Sequence, residues 1–305
     1  MKKIAVFLVF AGLFAAMFAG AQEASFKNNL SFTASSIPEA KMNFSHTTIL
    51  PFLRGDGALV SGNSLALNFD GEFSPVSVGA SAEARITPIA FLQFFAGGSI
   101  ASGWNVPGLA EGLRKNHLVA ATDAELVGEA FDGFVWSLEG GGLFQFDMAA
   151  IFPGDWNHVV FQTSHLARYK SLSSAEKDES WLFQADSGEN RNGWNYYGNY
   201  FLGYQMPIFL QMAGVLLEED LYLYDTPGRN LWGDDLGRWT LAAVLSFKIF
   251  DGLSANLITQ FSSRRNFTEA SKDYEFYQKR ILDTANPLRL EFYRVAAIVS
   301  WDLAW

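Results

Sequence analysis

Val76-Ser77-Val78-Gly79-Ala80-Ser81-Ala82-Glu83-Ala84-Arg85-Ile86-Thr87 alternates apolar and small or polar residues without a break. Successive side chains of an extended chain point to opposite faces. The stretch therefore reads as a strand with Val76, Val78, Ala80, Ala82, Ala84 and Ile86 on one face and Ser77, Ser81, Glu83, Arg85 and Thr87 on the other. Four further segments keep the same period. Leu65, Leu67, Phe69 and Phe73 oppose Ser64, Asn68, Asp70 and Glu72. Trp239, Leu241, Ala243, Leu245, Phe247 and Ile249 oppose Arg238, Thr240, Ser246 and Lys248. Leu253, Ala255, Leu257 and Phe261 oppose Ser254, Asn256, Gln260, Ser262 and Arg264. At the end of the chain Tyr293, Val295, Ala297, Val299, Trp301, Leu303 and Trp305 oppose Arg294, Ser300 and Asp302.

Composition says what surrounds these strands. Of 305 residues, 49% are hydrophobic and 15% aromatic, with 28 Phe and 9 Trp, and only 18% are charged. An ordinary soluble domain has about 25% charged residues. Beyond the first twenty residues no run approaches the roughly 18 apolar residues of a membrane helix, so the apolar content is dispersed. Hydrophobicity excludes disorder, the absence of Cys excludes a disulfide scaffold, and 32 acidic against 22 basic residues argue against a nucleic-acid partner. The N-terminus reads as an export signal: Met1-Lys2-Lys3 is basic, Ile4 to Phe18 is apolar, and Ala19-Gly20-Ala21 supplies small residues for cleavage. Residues 1–21 are thus expected to be a signal peptide and 22–305 a single domain; with no Cys after the cleavage site, no lipid anchor is expected.

Strands are expected near 25–35, 42–53, 63–73, 75–87, 89–104, 131–152, 157–171, 194–206, 208–223, 238–250, 252–267 and 287–305, which makes twelve. Gly140-Gly141-Gly142 could divide 131–152 into two strands, but that would leave an odd count, so one curved strand is expected there. Short turns fall at Asp251-Gly252, Met206-Pro207, Pro153-Gly154-Asp155 and Pro88, while longer links run through 105–130, 172–193, 225–237 and 268–286. Outer-membrane barrels have such an alternation of short periplasmic turns and long extracellular loops, and an even count places both termini on the periplasmic side. A soluble sandwich also alternates, but its exposed faces would carry many charges. Here the polar faces are lightly charged, and aromatics gather towards strand ends at Phe52, Phe152, Trp194, Tyr196, Trp239, Phe261, Tyr293, Trp301 and Trp305. The fold class expected is an all-β, transmembrane, antiparallel up-and-down barrel, closed because an open strand edge is not viable in hydrocarbon.

The terminal strand, with Trp301, Leu303 and Trp305 alternating up to the last residue, resembles the C-terminal signal read by the barrel assembly machinery of bacteria with two membranes. The resemblance covers the architecture of outer-membrane β-barrel proteins and no single family. It implies the outer membrane of a Gram-negative or other diderm bacterium as location, with the lipid bilayer and the assembly machinery as partners. Twelve-stranded members of this class include a phospholipase, nucleoside channels, narrow anion-type channels and autotransporter pores, so the architecture leaves function open.

Sites for chemistry are sparse. Only residues i and i+2 share a strand face, so a phospholipase pattern would need Ser two residues from His; none of His46, His117, His158 and His165 has one. The acidic clusters Asp234-Asp235 and Glu218-Glu219-Asp220 have no His near them in sequence and read as solvated loop charges. Asp186 to Gly193 has alternating oxygen ligands but an internal Arg191, and reads as a turn loop, not a calcium site. No cofactor, metal or catalytic residue is implied, and the chain is not expected to be an enzyme.

The lumen remains. The registers above turn Asp70, Glu72, Glu83, Arg85, Asp147, Arg168, Lys248, Arg264, Arg294 and Asp302 inward, with Lys27, Lys170 and Arg238. Acids gather in the first half of the chain and bases in the second, as a field across the bore would require, although strand direction divides them into an upper and a lower belt. Twelve strands make a bore between a side-chain-filled barrel and an open porin. The expectation is a narrow channel for small polar solutes. The alternatives are a surface adhesin or structural barrel with its lumen filled by paired charges, and an outer-membrane lipid hydrolase. Glu176-Lys177-Asp178-Glu179 with Trp181, Trp194, Tyr196, Tyr197, Tyr200 and Tyr204 reads as an aromatic girdle or a rim able to meet sugars or a partner.

Overall fold

The computed structural model describes residues 24–37, 39–106, 112–115, 130–176, 179–184, 190–223, 232–233, 235–272 and 279–303. The expected signal peptide, His117, Asp234, Trp305 and residues 186–189 of the Asp186 to Gly193 loop lie outside the described residues. Twelve strands close into one antiparallel barrel: β1 (Ser25–Ser35), β2 (Glu39–Pro51), β3 (Ser64–Ser74), β4 (Ser77–Ile89), β5 (Leu92–Gly103), β7 (Val135–Asp147), β8 (His158–Leu172), β10 (Gly193–Gln205), β11 (Leu210–Tyr222), β12 (Arg238–Phe250), β13 (Leu253–Arg265) and β14 (Leu288–Leu303). Each pairs with its chain neighbours, and β1 closes on β14 through Asn28↔Leu303 to Ser35↔Ala296. Two short strands, β6 (Leu113–Lys115) and β9 (Trp181–Phe183), pair with each other outside the wall.

The wall faces follow from the alternation. Phe26, Phe32, Phe44, Phe69, Phe94, Phe161 and Leu202 are exposed on the outside. Water would not tolerate so continuous an apolar surface, whereas a bilayer requires it. At the loop end Trp136 lies 5.4 Å from Tyr169, and Tyr169 5.5 Å from Trp194, a ring cluster of the kind found at a membrane boundary. Trp301 is exposed towards the end that carries the termini.

The triple glycine forms no turn. Gly140, Gly141 and Gly142 lie within β7, paired to Ala167, Leu166 and His165. A Cβ at Gly141 would stand 2.3 Å from the His165 carbonyl oxygen and 2.7 Å from Leu166 Cβ, so the strands approach closely there. Gly141→Ala is expected to destabilise the barrel by about 1–3 kcal/mol, read as a lower midpoint for loss of the heat-modifiable gel band. Gly252 supplies the left-handed conformation, φ 85°, of the tight β12–β13 turn.

Two expectations of register need correction. Residues 39–41 were expected in a loop but begin β2, which turns Glu39 and Lys41 into the lumen beside Ser35 and Thr33. Tyr293 was expected on the outer face, yet a bulge between Gln260/Arg294 and Phe261/Phe292 leaves it as the extra residue, and its ring lies 5.1 Å from both the Arg264 and Arg294 guanidinium groups.

Candidate functional site

Cross-strand pairing places the lumenal charges opposite partners. Glu139 faces Arg168 between β7 and β8, and Asp220 faces Arg238 between β11 and β12. Arg168 Nε donates to Glu139 Oε2 at 2.5 Å, and its guanidinium lies over the Tyr197 ring at 4.8 Å. Arg238 donates to Asp220. Arg294 donates to Glu39 and, at 2.6 Å, to Gln260 Oε1, whose amide in turn donates to Glu218 Oε2 at 3.2 Å. Lys41 Nζ stands 3.2 Å from Glu39 and 3.9 Å from Glu72. These pairs link β14 with β2 across β1, and β13 with β11 across β12. The result is a belt of alternating charge, and the predicted separation of acids and bases onto opposite walls is not found. Lys41, Arg168, Arg238 and Arg294 each drew a local acid, because an unpaired charge in a narrow bore is poorly solvated.

The belt borders two cavities that share Arg168. One, about 520 Å³, is lined by Ser45, Thr47, Asn68, Asp70, Ser81 and Glu83 among others. The other, about 390 Å³, is lined by Tyr197, Glu218, Asp220, Arg238, Arg264 and Tyr293 among others. Asp70 accepts from Ser45 Oγ at 2.5 Å and Ser81 Oγ at 3.2 Å, and among the described residues no cation pairs with it. Arg264 likewise has no carboxylate partner among the described residues; its contact is the Tyr293 ring. The apolar Phe201, Leu216, Val244 and Ile258 also point inward by register, so the lumen has one hydroxyl-rich wall and one apolar wall.

Of the other predicted lining residues, Glu83 stays on the wall of the larger cavity and the rest sit elsewhere. Glu72 is at the loop end, within the contacts of Lys41 and Gln184. Glu83 pairs with Arg85 at 2.9 Å, and Arg85 lies over the Phe95 ring at 4.9 Å. Asp147, Lys248 and Asp302 are at the end that carries the termini. There Asp147 meets His158 Nδ1 at 2.6 Å, Lys248 meets Asp251 at 2.6 Å, and Asp302 accepts from Asn29 at 3.0 Å. The hydrogen bond from Lys248 holds the exposed Asp251 carboxyl below its usual range.

Three connecting segments fold over the loop-end mouth, an arrangement with no local sign in the sequence. β6 and β9 pair through Leu113↔Phe183 and Lys115↔Trp181, and Leu113, Trp181, Val135 and Leu172 form a buried apolar cluster. Trp181, expected in a girdle or rim, is therefore interior to this lid. Trp232, also fully buried, lies between the guanidinium groups of Arg191 and Arg265 at 4.9 and 5.6 Å. Gln184, just past β9, reaches the far wall: Lys41 Nζ donates to its Oε1 at 2.7 Å, and its Nε2 donates to Glu72 Oε1 at 2.6 Å and Ser77 Oγ at 2.9 Å. Its backbone N–H donates to the Gly112 carbonyl at 2.7 Å. In barrel order β7, β5 and β4 stand between β8, from which this segment departs, and β3, where it is held.

The Glu218-Glu219-Asp220 cluster lies in strand β11 and not in a loop, with Glu218 and Asp220 lumenal and Glu219 outside. Continuing the β2 alternation three residues back would have revealed Glu39 and Lys41, and parity with Trp136 and Leu138 would have revealed Glu139. The search for Ser beside His also missed threonine. His46 Nδ1 is 2.8 Å from Asn28 Oδ1, and its Nε2 is 3.1 Å from Thr48 Oγ1, all on the outer face.

No protein-family model and no curated protein sequence matches the chain. Among solved structures it is similar to the KdgM porin, with 11% identity, TM-score 0.39, and 91% of this chain and 99% of that one covered. It is also similar to outer membrane phospholipase A from Escherichia coli (11%, TM-score 0.32, 94% and 96% covered) and to the Pseudomonas putida toluene transporter TodX (10%, TM-score 0.27, 94% and 93% covered). The protein is a twelve-stranded barrel of the outer-membrane type. Identities and scores this low carry no function from those proteins to this one.

Proposed function

We propose that the protein is an outer-membrane channel for small polar solutes, with both termini periplasmic, the lid at the cell surface, and the charge belt as its selective region. The carrying observation is the pair of cavities that meet at Arg168, lined by hydroxyls, carboxylates and guanidinium groups, within a closed wall. Alternating charge can replace the water shell of a polar solute at several successive points, which is what passage through a narrow bore requires. The predicted lining residues divide into a selective set, Asp70, Glu72, Arg168, Arg264 and Arg294, and a set nearer the termini, Glu83, Arg85, Asp147, Lys248 and Asp302. Trp301, Leu303 and Trp305 serve recognition by the assembly machinery. Purified barrel whose folding is verified by heat-modifiable mobility should give discrete conductance steps in planar bilayers; a folded barrel without steps would remove the channel and favour the filled structural barrel.

Asp70 places a negative charge with no paired cation among the described residues on the hydroxyl-rich wall. Asp70→Asn should lower the cation-to-anion permeability ratio by about two- to threefold in a salt-gradient reversal-potential measurement.

One observation favours a second reading, a lipid hydrolase. Asn28, His46 and Thr48 form a hydrogen-bonded chain on the lipid face in which Asn28 holds Nδ1–H and leaves Nε2 to accept the Thr48 proton. Release of labelled fatty acid from phospholipid, abolished by His46→Ala and by Thr48→Val, would support it. No release from folded wild type would exclude it.

A further inference from the structure

Strand β11 carries one acid on the lipid-facing wall. Glu219 stands between Leu217 and Leu221, opposite Gly198 of β10 and Trp239 of β12. Its sequence neighbours Glu218 and Asp220 turn into the lumen and meet Gln260 and Arg238 there. Among the described residues no Lys, Arg or His nitrogen lies within 4.0 Å of the Glu219 carboxylate. A carboxylate on a lipid-facing surface is costly without a counter-charge, so one that persists there is expected to meet a partner.

The groups around it are neutral hydroxyls. The point that a Cβ would occupy at Gly198 lies 3.1 Å from Tyr196 Oη, 3.3 Å from Glu219 Oε2 and 3.4 Å from Tyr200 Oη, so three oxygens converge on one small space that the missing side chain leaves open. Tyr196 Oη is 2.6 Å from His165 Nδ1, and His165 Nε2 is 3.0 Å from Thr163 Oγ1. In the tautomer that carries the ring proton on Nε2, shared with Thr163, the Tyr196 hydroxyl donates to Nδ1 and offers its lone pairs to the niche as an acceptor. Trp194, two residues along on the same face, belongs to the ring cluster with Tyr169 and Trp136 that marks the membrane boundary, which is where lipid headgroups lie.

We propose that this niche over Gly198 binds the primary ammonium of a lipid headgroup in the leaflet at the loop end, with Glu219, Tyr196 and Tyr200 as the three acceptors. An ammonium offers three N–H donors and one positive charge, matching three oxygens and one uncompensated carboxylate. The site is outside the wall and independent of conduction through the lumen.

Native mass spectrometry of the folded, detergent-purified barrel, offered equimolar dioleoyl phosphatidylethanolamine and dioleoyl phosphatidylglycerol, tests it. The wild type should retain about fivefold more of the ethanolamine lipid, as a partly solvated charge-assisted contact would give. Dioleoyl phosphatidylcholine, which has no N–H, should be retained no better than the glycerol lipid. Glu219→Gln removes the charge and Gly198→Ala fills the niche with the charge in place; each should bring the ratio to parity while the heat-modifiable band stays. If Glu219→Gln fails to fold, Gly198→Ala decides alone. Equal retention of the ethanolamine and glycerol lipids by the wild type, equal retention of phosphatidylcholine and phosphatidylethanolamine, or a preference that survives the folded variants would overturn the proposal.

Discussion

Arg294→Glu is expected to cost the barrel about 3 kcal/mol, because it breaks a part-buried ion pair and sets a like charge beside the partner left uncompensated. Arg294 donates to Glu39 and Gln260, and Gln260 holds Glu218. The substitution would therefore bring three carboxylates together in a confined space. Glu39 is only 11% exposed, so water would do little to relieve the repulsion. The measurement is the midpoint temperature for loss of the compact band on unheated gels. The reciprocal exchange, Arg294→Glu with Glu39→Arg, should recover most of the loss by restoring the pair with its polarity reversed. A double variant no more stable than the single one would show that the contact between β14 and β2 does not hold the belt. In the folded double variant, unchanged ion selectivity would count against this pair as part of the conducting path.

Gln184→Ala should open the mouth. Its side chain makes three hydrogen bonds, to Lys41, Glu72 and Ser77, which tie the lid to the opposite wall. At about 1 kcal/mol for each, their loss would shift the lid between held and released positions by about two orders of magnitude. The expected reading is longer and larger openings in single-channel records, with thermal stability nearly unchanged because the barrel wall is not involved. Gln184→Leu keeps much of the side chain's bulk but makes none of the three hydrogen bonds, and should release the lid in the same way. Channels indistinguishable from wild type in both variants would mean that the Gln184 contacts do not govern access to the lumen.

The sequence by itself determined the barrel. Alternation is a property of neighbouring residues, and a strand's two faces are written in consecutive positions, so twelve strands, their apolar face and the inward turn of Asp70, Arg168 and Arg264 could be read without knowing which strand met which. Even the glycines at 140–142 fit one strand once an even count was required. Tertiary structure decided the rest. Whether Arg294 meets Glu39 depends on which residue of β14 stands level with β2 across β1, a register that closes only when the whole ring closes. The inward turn of Tyr293 depends on one extra residue in a bulge, which shifts parity without altering composition. The lid depends on contacts between segments more than sixty residues apart, where Leu113 finds Trp181 and Gln184 finds Lys41, and loop sequences carry no periodic record of such partners. Local periodicity therefore dictated the wall, while ring closure and long-range loop packing decided what the wall encloses.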